Sequence, residues 1–139
     1  MNVSKKIVLA EDNPADIKLA QLALRRLPPE IEMVQLGNGK ELLEYLEKAS
    51  YEEIAFVLLD LNMPMVNGHD FLQLRKQHPN LQKMPVIVFT CSNDYEDIEH
   101  AYALGANAYI NKPVDLHEYE KTFQSIIRFW CGVSIQVSI

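Results

Sequence analysis

Apolar residues in this chain fall into short unbroken runs, separated by longer stretches where they recur every third or fourth position. Ile7-Val8-Leu9-Ala10, Phe56-Val57-Leu58-Leu59 and Val86-Ile87-Val88-Phe89 contain no polar residue. Runs of that length and β-branched content suit strands covered on both faces, as in the middle of a parallel sheet. Ile31, Met33 and Gln35 alternate with Glu32 and Val34 in a second strand, and Asn107-Ala108-Tyr109-Ile110 reads as a fifth. Between these runs the helical period takes over. Ile17, Ala20, Leu24 and Leu27 mark a first helix, which Pro28-Pro29 forbids from continuing. Leu42, Leu43 and Leu46 mark a second, after the turn Gly37-Asn38-Gly39; Phe71, Leu72 and Leu74 mark a third.

The helix ends carry their own signals. Asn13 with Pro14 and Asp16 opens the first helix, Asn93 with Glu96 a fourth that Gly105 would end, and Asp115 with Glu118 a fifth. Val114 and Tyr119 are spaced as a hydrophobic staple for that fifth helix, which carries Phe123, Ile126, Ile127 and Trp130. Five strands alternating with five helices predict an α/β, doubly wound parallel sheet with helices on both faces.

Composition narrows the function classes without naming one. The chain has 139 residues, enough for one domain, and a net charge of -6, which leaves no basic face for nucleic acid. Its two cysteines, Cys91 and Cys131, have no metal-ligand spacing and point to a reducing, cytoplasmic setting. No apolar run approaches the ~20 residues of a membrane span. The body is read as residues 1–130, followed by a tail at 131–139. There Val133, Ile135, Val137 and Ile139 alternate with Ser134, Gln136 and Ser138, as in an edge strand. That pattern suggests self-association into a homodimer, through the tail or through the face made by the fourth helix, fifth strand and fifth helix.

The candidate chemistry lies at the strand ends. Glu11-Asp12 follows the first strand, Asp60 the third, Thr90 the fourth and Lys112 the fifth. In a parallel sheet these C-terminal ends share one edge, the place where open α/β sheets bind ligands. Three converging carboxylates repel one another unless a cation joins them, and a hard divalent ion, Mg²⁺ above all, is expected. A lysine and a hydroxyl beside a metal-held carboxylate meet the needs of an incoming phosphoryl group.

Over about residues 5 to 130 the chain resembles the receiver domain of two-component response regulators. The likeness rests on Glu11-Asp12, Leu59-Asp60-Leu61-Asn62-Met63-Pro64, Val66-Asn67-Gly68, Phe89-Thr90-Cys91 and Ile110-Asn111-Lys112-Pro113, in order and at family-like spacing. It implies a flavodoxin-like fold with strand order 2-1-3-4-5, and a single-domain regulator akin to chemotaxis regulators. Asp60 would accept a phosphoryl group from a sensor histidine kinase or a phosphotransfer protein. Asp12 and Asp60 would bind Mg²⁺, with Asn62 adding its backbone carbonyl and Glu11 acting through water or as a further ligand. Thr90 and Lys112 would contact the phosphoryl oxygens, and the Lys112–Pro113 bond would be cis. Phosphorylation would draw Thr90 in and move Tyr109 into the vacated space. The readout to a downstream protein target would then run through the fourth helix, fifth strand and fifth helix.

Other readings are weaker. An aspartyl-phosphate phosphatase needs a general acid two residues after its nucleophile, where Asn62 stands. A flavin site needs a phosphate cradle after the first strand, where Glu11-Asp12 would repel it. A receiver-like interaction module that is never phosphorylated would have no use for the full set Glu11, Asp12, Asp60, Thr90 and Lys112.

Overall fold

The computed structural model describes residues 6–27 and 31–133. Five parallel strands, β1 (Lys6–Ala10), β2 (Glu32–Leu36), β3 (Ile54–Leu59), β4 (Val86–Thr90) and β5 (Ala108–Asn111), form one sheet in the order β2-β1-β3-β4-β5. Helices α1 (Pro14–Leu24), α2 (Gly39–Lys48), α3 (Gly68–Arg75), α4 (Tyr95–Ala103) and α5 (Leu116–Arg128) connect and flank it. Short turns complete the chain: a 3₁₀ turn at Tyr51–Glu53, a helical turn at Pro79–Gln82 and a π-helical turn at Phe129–Val133.

The unbroken apolar runs have a plain cause. Successive strand side chains point to opposite faces, and both faces are covered. Val8, Val57, Leu59, Val86 and Val88 pack with Leu42, Leu46, Phe71, Leu72 and Ala101, under α2, α3 and α4. Ile7, Leu9, Phe56, Leu58, Ile87 and Phe89 pack with Ala20, Ala23, Tyr119, Phe123, Ile126 and Ile127, under α1 and α5. Edge strand β2 has no buried residue, which accounts for its weaker pattern in the sequence.

Capping follows the expected chemistry with two corrections. Asn13 accepts from the N–H groups of Ala15 and Asp16, Asn38 from Glu41, Asn67 from Asp70 and Asp115 from Glu118. The cap of α4 is Asp94 rather than Asn93, because the helix starts one residue later and Asp94 reaches the Glu96 N–H. The Val114 staple does not form: Val114 is fully exposed while Tyr119 is buried, so the chain enters α5 from the solvent side. Gly105, at φ +99, ends α4 in a conformation that L side chains rarely adopt. The expected edge strand in the tail lies outside the described residues beyond Val133, which closes the π-helical turn.

One buried cation had no signal in the sequence. Arg75 closes α3 and is almost fully buried. Its guanidinium donates to the carbonyls of Leu81 (3.1 Å), Gln82 (3.1 Å), Met84 (2.8 Å) and Gly105 (2.9 Å), and to Asn107 Oδ1 (3.3 Å). It clips α3 to the entry of β4 and the exit of α4. Arg75→Leu leaves those acceptors dry, and should lower unfolding free energy in urea by about 3 kcal/mol.

Candidate functional site

Strands β1, β3, β4 and β5 each deliver a polar group to the same edge of the sheet. Ala10 ends β1 and hands over to Glu11, whose backbone N–H bonds the Leu36 carbonyl of β2 (3.0 Å). Leu59 ends β3, and the Asp60 N–H bonds the Ala10 carbonyl (3.0 Å), so the two acidic turns are tied side by side. Thr90 is the last residue of β4; its carbonyl accepts the Lys112 N–H at 2.8 Å, placing the lysine just after β5. Gly68 lets the loop after β3 return closely: a Cβ there would lie 2.7 Å from the Leu61 Cα and 2.8 Å from the Asp60 carbonyl oxygen. A larger residue would push on the backbone that holds Asp60.

Glu11, Asp60, Thr90 and Lys112 are buried, whereas Asp12 and Asn62 are exposed at the rim. Asp60 Oδ1 accepts from the Thr90 hydroxyl at 2.9 Å and from the Asn62 N–H at 3.2 Å. The Lys112 ammonium donates to Glu11 Oε1, to Asp16 Oδ2 at 2.9 Å and to Asp60 Oδ2 at 3.2 Å. Glu11 Oε2 accepts from the Asn13 N–H at 3.1 Å. All the candidate site residues at the strand ends are therefore brought together. Asp16, which its place in the sequence marks only as a helix-start acid, joins them.

The charges are strained by burial. Burial pushes the Glu11 carboxyl up to about 7; the Lys112 ammonium opposes this and the Asp60 charge adds to it. Burial by itself would pull the Lys112 ammonium down. Its bonds to Glu11 and Asp16 and the Asp60 charge more than offset that, and hold it above the ordinary lysine range. Glu11, Asp12 and Asp60 each bring one carboxylate oxygen within 4.8 Å of the others. Three hard anionic oxygens around one point suit a hard divalent cation.

One expectation about the exit of β5 comes out differently. The Lys112–Pro113 bond is trans, since no cis peptide occurs among the described residues. Trans is the lower-energy form of X–Pro, and the lysine is already fixed by its carboxylate partners and its backbone bond to Thr90. Tyr109 is half-buried, and its hydroxyl donates to the Ser92 carbonyl at 2.8 Å. The Asn111 amide donates to that carbonyl too, at 2.7 Å, and the Ser92 hydroxyl donates to Asp97 on α4 at 2.6 Å. Ser92 thus links the loop after Thr90 to both β5 and α4, a role that no sequence signal marked. Cys91, between Thr90 and Ser92, is exposed.

Comparison with known proteins gives the chain its relatives. Residues 7–124 match the family model for the response regulator receiver domain. The chain is 35% identical over 133 residues to response regulator Rcp1 of Synechocystis sp., covering 93% of this chain and 90% of that protein. Its structure is similar to that of the phosphorylated cyanobacterial phytochrome response regulator RcpA, with TM-score 0.89 and 36% identity over 96% of this chain and 99% of that one. It is also similar to the Mn²⁺-bound form of Rcp1, with TM-score 0.86 and 33% identity over 96% and 99% of the two chains. No described helix is long and apolar enough to cross a membrane.

Proposed function

Because the chain belongs to the response regulator receiver family, we propose that Asp60 accepts a phosphoryl group from a histidine kinase or phosphotransfer protein and relays the signal by changing shape. The observation that carries this reading is the contact set of Asp60: a threonine hydroxyl on one oxygen and a lysine ammonium on the other. A carboxylate oxygen of Asp60 forms a bond to phosphorus as the donor's P–N bond breaks; the electron pair goes to the nitrogen, which takes up a proton. Lys112 and Thr90 donate to the equatorial oxygens as charge builds there. Glu11, Asp12 and Asp60, with the backbone carbonyl of Asn62, would hold Mg²⁺, which when bound supplies positive charge beside the phosphoryl oxygens. The acyl phosphate later loses phosphate to water, so the domain turns over only its own modification.

The switch runs from Thr90 along its loop. If the hydroxyl turns from Asp60 to a phosphoryl oxygen, the loop moves. Ser92 then pulls on Tyr109 and Asp97, and so on β5 and α4. The face of α4, β5 and α5 is the proposed contact for a downstream protein; Tyr95, Tyr102 and Phe129 are exposed along it. Residues 1–130 would be the receiver. The tail at 131–139 would serve self-association, supported by an open groove of about 690 Å³ where Ile110, Ile126, Phe129 and Trp130 meet. The reducing cytoplasm, where histidine kinases present phosphohistidine, is the proposed setting, and Cys91 and Cys131, which have no metal-ligand spacing in the sequence, fit it.

Incubation with phosphoramidate and Mg²⁺ tests the reading. Intact-mass measurement should show the gain of one phosphoryl group, with peptide mapping placing it on Asp60, and EDTA should prevent it. A wild-type protein that gains no phosphate from phosphoramidate, acetyl phosphate or a phosphorylated histidine kinase would overturn the proposal.

A further inference from the structure

The proposed reaction gives tasks to Glu11, Asp12, Asp60, Thr90 and Lys112, and leaves Asp16 without one. Resting on that reading, we infer that Asp16 is a positioning residue: it anchors the Lys112 ammonium so that the donor now on Asp60 is the one handed to the phosphoryl oxygen. An ammonium has three N–H donors. Those of Lys112 face Glu11, Asp16 and Asp60, and the Asp16 contact, at 2.9 Å, is shorter than that to Asp60 at 3.2 Å. Glu11 and Asp60 also belong to the trio of carboxylates that converges on one point, and Asp60 is the group that reacts. Asp16 belongs to neither set. It is the partner that can keep its hold on Lys112 while the others change theirs.

Asp16 is itself fixed. It lies in the first turn of α1, where its N–H donates to Asn13 Oδ1 at 3.2 Å. Its carbonyl accepts from the Tyr119 hydroxyl at 3.3 Å. Tyr119 is buried on α5 and packed beside Phe89 and Phe123, with ring centroids 5.3 and 6.2 Å away. The side chain of Asp16 is only 20% exposed. A lysine stem is rich in rotamers, so an ammonium without a fixed partner wanders. Asp16 passes the rigidity of the α1–α5 packing to a flexible side chain.

Charge alone makes the opposite prediction. A carboxylate beside the site repels an arriving phosphate dianion, so on electrostatics its removal should speed phosphorylation. Positioning requires the reverse.

The test uses the full chain with saturating Mg²⁺, comparing wild type, Asp16→Ala, Asp16→Asn and Asp16→Glu. Phosphoramidate is titrated and uptake is followed by intact mass. Asp16→Ala should lower the maximal rate about tenfold, while the half-saturating donor concentration and the Mg²⁺ affinity stay within about twofold. Asp16→Glu should recover most of the rate, and Asp16→Asn, which keeps an acceptor in place, should fall between. A maximal rate unchanged or raised in both Asp16→Ala and Asp16→Asn overturns the inference. Thermal melting checks folding; if Asp16→Ala does not fold, Asp16→Asn and Asp16→Glu carry the comparison. A wild type that takes no phosphate sinks the proposed function instead. A phosphate-independent readout then remains: the Lys112 ammonium should give a slowly exchanging ¹⁵N signal that broadens in the Asp16 variants, and an unaltered signal counts against Asp16 as its anchor.

Discussion

Replacing Lys112 with alanine is expected to lower the unfolding free energy by about 3–5 kcal/mol at pH 7 in metal-free buffer, because it leaves buried carboxylates without their cation. In the intact protein one ammonium answers Glu11, Asp16 and Asp60, and its side chain is only 4% exposed. Without it, Glu11 loses the one group that works against burial and the Asp60 charge. The pH dependence follows in sign. A carboxyl raised in the folded state binds more protons there than in the unfolded chain, so stability falls as pH rises through that interval. In the intact protein the interval for Glu11 runs from its ordinary 4.5 to about 7. In the variant its upper end moves higher, so urea unfolding at pH 5 and pH 8 should show a deficit that grows with pH. Mg²⁺ should restore part of the loss by replacing the missing positive charge. Phosphate uptake should fall by more than about a hundredfold even then, since the cation is not where the proposed reaction needs the ammonium to meet the phosphoryl oxygens. A deficit that is flat in pH, or that Mg²⁺ leaves untouched, would mean that the lysine is held for packing alone.

The sheet was legible because its strands are buried on both faces, and a short unbroken apolar run between helical stretches fits little else. Strand order and direction then placed Glu11, Asp60, Thr90 and Lys112 on one edge, although up to 101 positions separate the partners in sequence. What stayed hidden depended on side-chain reach rather than on pattern. Asp16 carries a second signal, that of a helix-start acid, which fully accounts for its presence. Arg75 sits in the last turn of α3, where a basic residue is ordinary, and only the packed fold shows that its guanidinium turns inward to four carbonyls. Ser92 holds β5 through its backbone carbonyl, which every residue has. The trans bond at Pro113 and the exposed Val114 show the same limit from the other side. The first expectation came from the family resemblance and the second from local spacing, and both gave way to anchors elsewhere: Lys112 is held by its carboxylates, and the first turn of α5 by the Asp115 cap and buried Tyr119.

Asp60→Asn should abolish phosphate uptake while making the metal-free protein more stable at pH 8. The two effects have one origin. An amide lacks the anionic oxygen that the proposed reaction requires to attack phosphorus, so no mass gain should appear under conditions that fully modify the wild type. The substitution keeps the shape of the side chain and leaves an oxygen for the Thr90 hydroxyl, which donates to Oδ1 at 2.9 Å. It also removes the charge that helps raise the Glu11 carboxyl. Burial is the larger cause of that rise, so Glu11 should titrate below about 7 but still above its ordinary 4.5. A smaller shift means a smaller loss of stability between pH 5 and pH 8, and the advantage of Asp60→Asn over wild type should widen across that range. Urea unfolding at the two pH values measures the gap, and ¹³C chemical shifts of the Glu11 carboxyl measure the titration directly. A gap independent of pH would show that Asp60 and Glu11 are screened from each other. A phosphate adduct persisting in Asp60→Asn would place the acceptor on another residue, with Asp12 at the rim of the same edge the first candidate.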